Sequence, residues 1–310
     1  MSRNMAGVAL ITSLILLSVI TLLVMAMTTR QQLDLQRATH FGHAAQALWY
    51  SHSAETWAKR VLNSDDKEVD SLHDNWAVSV PPMAIEEGLV AGSIVDLQSR
   101  FNLNNLLQAG KPHPPSVAHF QRLLTRLDID PTWVPALLDW LDEDSTESPS
   151  GAEDSYYANL QPPYRAANAL MADPSELRLV RGVDDRAYSR LRPFICALPA
   201  TTGININTAP ALVLDTITEN HALDVDAIIS DRERSAINDS NQLKRYFPTS
   251  TLTAGPAQEP PWQSAGLVIA SRYFQMTTEV RLGVSRQRRV IRLFRNGQDT
   301  VSLNQSPVTD

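Results

Sequence analysis

The densest group of chemistry-bearing side chains lies in LLDWLDEDSTESPSGAEDSYY, residues 137–157. It holds Asp139, Asp142, Glu143, Asp144, Glu147, Glu153 and Asp154, with no Lys or Arg between Arg126 and Arg165. Crowded carboxylates repel one another, so the stretch needs either full solvation or a cation. Donors that are all oxygen select a hard cation. Asp142 and Asp144 alternate and can point to one centre. Glu153 follows Asp142 by eleven residues, which matches the first, third and twelfth positions of an EF-hand loop. The glycine required at the sixth position is absent; Glu147 stands there and Pro149 follows soon after. A true EF-hand is therefore rejected. An oxygen-ligand Ca²⁺ site is expected from Asp142, Asp144, Glu153 and Asp154, with Asp139 and Glu147 as further candidates. Mg²⁺ fits less well, because it rarely takes an all-protein cage. The competing reading is a solvated acidic loop behind a helix.

Other chemistries find little support. A glycosidase-type carboxylate pair needs one carboxyl in an apolar pocket, and nothing marks such a pocket here. The chain has no GxSxG, no HExxH and no Gly-rich phosphate loop. His40 and His43 are expected on an exposed helix face. Two Asn-rich turns, RFNLNNLL (100–107) and GININTAP (203–210), could be structural caps or a helix-hairpin-helix contact to DNA. A DNA contact needs basic residues beside the hairpin. The flanks of the second turn, ALPATTG and LVLDTITEN, carry none, so the structural reading is preferred. The short basic run RQRR (286–289) reads as a solvated turn.

These candidates must be positioned by the rest of the chain. Its 310 residues are 43% apolar and 20% charged, enough for a folded core. The formal net charge of −7 disfavours a broad nucleic-acid surface. A single cysteine, Cys196, excludes an intramolecular disulfide. From Val8 to Met27 run 20 residues without a charge, and Arg30 is the first charge after Arg3. About 20 apolar residues span a hydrocarbon core of ~30 Å. A cleaved signal has a shorter apolar region and a small-x-small site, and VMAMTTR is a poor one. A retained membrane helix is therefore expected.

Helical periodicity continues through Ala44, Ala47, Leu48, Ser51, Ala54, Ala58, Val61 and Leu62. One helix from Val8 to Asn63 is expected, half in lipid and half amphipathic. A polar loop follows at 63–75, then strands at WAVSV (76–80) and Ser93–Leu97. Residues 107–250 read as short helices with caps such as Asp173-Pro174 and Ser240 or Asn241. In RYFQMTTEVRLG, Phe274, Met276, Thr278, Val280 and Leu282 alternate with polar residues, and RVIRLFR (289–295) would complete a hairpin. The tail after it reads as frayed, although TVSL could add a strand. The fold class is α+β: a helix-plus-sheet domain interrupted by an all-α domain. The divisions expected are a leader (1–7), a transmembrane part (8–27), a first sheet-domain part (28–106), the insertion (107–250), and a linker with final strands (251–310). The Pro- and Gly-rich stretch 249–266 is the expected linker.

A short leader ending in Gly7, a long apolar helix continuing as an amphipathic one, and a small strand domain resemble type IV prepilins and type II secretion pseudopilins. GVALI, FNLNNL, the acidic stretch and NINTAP together resemble the GspK (XcpX-like) minor pseudopilin family, along essentially the whole chain. That resemblance implies a type IV pilin-like fold, a long N-terminal helix on an antiparallel sheet, with a large inserted all-α domain. It implies cleavage by prepilin peptidase after Gly7 and N-methylation of Val8, leaving a mature charge of −8. It implies Ca²⁺ in the inserted domain and no catalytic activity. The implied partners are other minor pseudopilins, of the GspI, GspJ and GspH types. The implied place is the inner membrane, single-pass, with the C-terminal domain in the periplasm at the pseudopilus tip. One departure from the general pilin pattern stands out: the Glu usual five residues into the mature chain is Thr12 here. A carboxylate inside a membrane is costly and needs a partner. A tip subunit has no neighbour above to supply one. The alternative class is a membrane-anchored helix-hairpin-helix nucleic-acid binder, which would need a basic face beside its Asn-rich turns.

Overall fold

The computed structural model describes residues 3–219, 222–247, 266–283, 285–297 and 299–308, and for residues 3–9 and 304–308 only the course of the backbone. Helix α1 (Arg3–Ser64) runs for 62 residues. Nothing in its sequence breaks it, since no proline occurs before Pro81. From Leu10 onward it contains an 18-residue window of mean hydropathy 2.6, none of it buried. The helix is thus long and apolar enough to cross a membrane.

The last third of α1 lies on a five-stranded antiparallel sheet of order β1-β2-β3-β4-β5: Val80–Ile85, Gly88–Asp96, Tyr273–Leu282, Ser285–Arg295 and Thr300–Val308. The helix presents small residues to the sheet. Ala47, Ser51 and Ala58 are fully buried, which lets the backbones approach, and Leu62 fills the end. Beneath lie Ile94, Phe274, Met276, Ile291 and Leu293, with the Trp76 ring edge-on to Phe274 at 5.2 Å. In β3 the expected alternation holds, with Phe274, Met276, Thr278, Val280 and Leu282 all buried. A smaller cluster of Ala47, Val280 and Leu282 continues the core towards the other end.

Four local expectations need correction. Trp76 is not in a strand but in a short 3₁₀ turn, Asn75–Ala77, and the strand begins at Val80. RQRR is not a turn but lies inside β4, where Arg286 meets Glu279 at 3.1 Å. The tail is a full edge strand, β5, whose Val301 pairs with Phe294. His43 does not face solvent: its ring packs against Gly283 and lies 3.5 Å from Glu87. Gly283 has φ +53, and a Cβ there would come within 2.9 Å of that ring. The expected linker lies outside the described residues except Gly266.

Between β2 and β3 the chain builds a helical part with two cores. The first gathers Phe101, Leu103, Leu106, Phe120, Leu124, Trp133, Leu137, Trp140 and Tyr157 among others. It uses α2 (Pro114–Arg126), α3 (Val134–Leu141), α4 (Asp154–Tyr157) and α5 (Asp185–Leu191). The second surrounds Ile206, Val213, Leu214, Ile228, Leu243 and Tyr246, from α6 (Ala211–Asp215) and α7 (Val225–Arg234). Arg122 of α2 joins them by donating to the Thr216 and Ile217 carbonyls at 2.8 and 2.6 Å. Phe101 belongs to the first core, so that packing begins ahead of residue 107.

The two Asn-rich turns are internal latches. Asn104 donates to the Met171 and Leu198 carbonyls, both at 2.9 Å, and accepts from the Met171 amide at 2.9 Å. Asn102 accepts from the Leu198 amide at 3.0 Å. Asn205 donates to the Asp70 carbonyl, Asp96 Oδ2 and Ser271 Oγ at 3.0–3.1 Å. Asp96 also takes Thr208 Oγ1 at 2.6 Å and Ser271 Oγ at 2.7 Å, so the neck between helical part and sheet is hydrogen-bonded shut. These Asn side chains are buried, so neither turn offers them to phosphate. Cys196 is buried too, and burial pushes its thiol up to about 12, which leaves it inert.

Candidate metal centre

The acidic stretch is shaped by α3 and α4. Asp130 caps the 3₁₀ turn that leads into α3, accepting from the Thr132 amide at 3.0 Å. Val134, Leu137, Trp140 and Leu141 then fix the helix in the first core, which carries Asp139 into the interior with no exposure. The helix stops at Asp142, whose backbone turns extended at φ −76°, ψ 167°. Residues 142–153 loop back to α4. Its Tyr157 locks the return, edge-on to Trp140 at 5.2 Å and stacked on Tyr164 at 5.3 Å.

Asp142, Asp144 and Glu153 each place a carboxylate oxygen within 4.8 Å of the others. Glu153 is 3% exposed, and neither of its oxygens has a hydrogen-bond donor. Asp142 Oδ1 and Asp139 Oδ1 are likewise buried without a donor. Asp139 Oδ2 accepts the Ser148 amide at 3.1 Å. The loop passes so close to it that a Cβ on Gly151 would fall 1.8 Å from that oxygen. Arg181 reaches the loop but donates to the Gly151 carbonyl at 2.9 Å, and its guanidinium lies over the Tyr156 ring.

The electrostatics follow from this geometry. Desolvation, with the charges of Asp144 and Asp139, pushes the Asp142 carboxyl up to about 6. Desolvation, with Asp139 and Asp142, raises Glu153 as well. Buried carboxylate oxygens without donors are costly, and a cation is the partner that would satisfy several at once. The residues therefore fit an oxygen-ligand Ca²⁺.

Two sequence candidates stand apart from this group. Glu147 is exposed, and its Oε2 takes Ser155 Oγ at 3.3 Å. Asp154 begins α4 and turns the other way, accepting the Ala166 amide at 2.9 Å with Arg165 4.0 Å off. One member was not foreseen. Asn168, held at φ +43°, donates to the Asp144 carbonyl at 2.7 Å, and its Oδ1 is buried without a donor. It follows Asp144 by 24 residues in a segment with no ligand spacing, so no sequence signal marked it. At the other end of the molecule, Gly7, Val8 and Thr12 all lie in α1, and Thr12 is exposed.

The family model described as "Type II secretion system (T2SS), protein K" matches residues 99–200. "Type II secretion system protein K" of Aeromonas hydrophila is 33% identical over 323 aligned residues, covering 96% of this chain and 95% of that protein. The Pseudomonas aeruginosa protein of the same description is 34% identical, covering 93% and 88% respectively. Among solved structures, a chain of the GspK-GspI-GspJ complex from the enterotoxigenic Escherichia coli type 2 secretion system superposes with TM-score 0.70 at 27% identity. The match covers 88% of this chain and 100% of that one.

Proposed function

The chain belongs to the type II secretion system protein K family, and from that premise we propose that it is the minor pseudopilin that ends the pseudopilus, nucleating and capping the filament to support protein export. The observation that carries this reading is the unpacked apolar half of α1, a membrane-length rod with none of its most apolar window buried. Such a surface needs lipid or the matching helices of neighbouring subunits. The partners are other minor pseudopilins of the GspI, GspJ and GspH types, by likeness to the chain of the GspK-GspI-GspJ complex. Thr12 supports the terminal place. A subunit with no neighbour above it has no amine to pair with a membrane-embedded carboxylate. The helical part above the sheet would bar further subunits on steric grounds.

In this reading prepilin peptidase cleaves after Gly7, Val8 becomes the methylated N-terminus, and the helical part faces the periplasm. Asp142, Asp144 and Glu153, backed by Asp139 and with Asn168 at the rim, would hold Ca²⁺. The ion would neutralise their charge and rivet the 142–153 loop to α3. The chain is a structural secretion component, with protein contacts as its activity.

Gly7→Ala tests the processing that the reading requires. In cells with active prepilin peptidase the variant should keep its leader, run larger on a gel and fail to support secretion. Unchanged size together with unchanged secretion would refute it.

A further inference from the structure

The polar loop that follows α1 holds a second group of carboxylates, far in sequence from the first. Asp65, Asp70 and Asp74 each place one oxygen within 4.8 Å of the others. Asp70 is wholly buried. Its Oδ2 accepts the Ser271 amide at 2.6 Å and meets the Arg295 guanidinium, but its Oδ1 is buried with no donor. Asp65 Oδ2 is buried with no donor either. Asp74 is held in place by Ser71, whose amide and hydroxyl donate at 2.7 and 2.9 Å, and by Trp76 Nε1 at 3.2 Å.

The charges do not balance. Arg295, 3% exposed, brings one positive charge to three carboxylates. With all three ionised, two negative charges would be left over, at a place where desolvation is expensive and two oxygens still lack a donor. The nearby His73 is used elsewhere, its Nε2 lying 2.7 Å from the Arg232 carbonyl. The three grouped side chains all offer carboxylate oxygens, which suits a hard cation and not a soft one.

We propose that Asp65, Asp70 and Asp74 bind a hard divalent cation, Ca²⁺ in preference to Mg²⁺ or a transition metal, at the junction of α1 with the sheet. Its position gives it a mechanical task. Asp65 directly follows the end of α1. The Asp70 amide bonds the Ile269 carbonyl at 2.9 Å, and the Asp70 carbonyl accepts from Asn205 at 3.0 Å. One ion there ties the helix end to the sheet and to the neck of the helical part. The site is separate from the 142–153 loop and does not depend on the reading given to it.

The test uses the full chain in detergent, stripped with EDTA. Asp142→Asn/Glu153→Gln serves as a background that disables the other loop. Equilibrium dialysis with Ca²⁺ should find one ion per chain in this background and none once Asp65→Asn and Asp74→Asn are added. Tb³⁺ provides a second readout: excitation of Trp76 should sensitise its emission, and excess Ca²⁺ should quench the signal. In the same background, calcium should raise the melting temperature, and Asp65→Asn should abolish the rise. A background chain that binds no Ca²⁺, or binding that survives both Asn substitutions, overturns the proposal and leaves protons as the compensating charge.

Discussion

Asp142→Asn should stabilise the metal-free chain near neutral pH and weaken it in calcium. Desolvation, then Asp144 and Asp139, raises this carboxyl from 3.8 to about 6. The folded chain therefore holds the proton more tightly than the unfolded one. The resulting stability is fully present below the unfolded value of 3.8 and is lost as pH rises through about 6. Linkage places about one unit of the shift between about pH 5 and about pH 7.5, worth roughly 1.4 kcal/mol. Asp142 is only partly buried, so screening trims this to about 1 kcal/mol, or about 2–4 °C of melting temperature. Thermal scans of the full chain in detergent with EDTA, at both pH values, measure it. Between the acid and the neutral condition the wild type should lose about 2–4 °C more than Asp142→Asn. Asp70, raised to about 7 chiefly by desolvation, titrates in both chains and cancels from the difference. Calcium at about 100 times its Kd adds about 2.7 kcal/mol to the wild type and should reverse the order of the two chains. Equal pH slopes, or a variant that melts below wild type in EDTA at about pH 7.5, would refute the reasoning.

The remaining predictions concern packing. Asn104→Ala strips partners from the Met171 amide and from the Met171 and Leu198 carbonyls, so the urea midpoint should fall by an amount equivalent to roughly 2–4 kcal/mol; a neutral result would show that water replaces the side chain. Gly151→Ala drives a methyl into Asp139 Oδ2 and should cost about 1–3 kcal/mol in EDTA while abolishing the calcium-dependent rise in melting temperature. An undiminished rise would mean that Asp139 has no part in holding the loop.

The sequence showed most clearly those elements that depend on local pattern. The unbroken run to Asn63 and the alternation through β3 gave α1 and its sheet face, because burial on one side leaves a period in the chain. RQRR misled because four polar residues in a row imitate a turn, yet in β4 Arg289 turns inward while Arg286 and Arg288 point to solvent. Trp76 misled through three alternating apolar residues too short to separate a strand from a 3₁₀ turn. In the candidate metal centre the spacing of Asp142, Asp144 and Glu153 was readable because one loop carries all three. Asn168 was not, because tertiary packing brings it in from a Pro-rich segment without ligand periodicity. The Asp65–Asp70–Asp74 group was passed over as part of a polar loop because the burial of Asp70 depends on Ser271 and Arg295, 201 and 225 residues away.

The register at the neck has a further consequence. Asp96, at the end of β2, lies opposite Phe274, near the start of β3. Everything from Leu97 to Arg272 is thus a single excursion between two strands that are already neighbours. Closing so long an excursion costs only about 2–3 kcal/mol more than closing one of about ten residues, since loop entropy grows with the logarithm of length. The head is in effect a cassette clipped into a stem. By this count its length could change at little entropic cost to the registers of β2 and β3, provided the Asn205 and Thr208 bonds to Asp70 and Asp96 at the neck are kept.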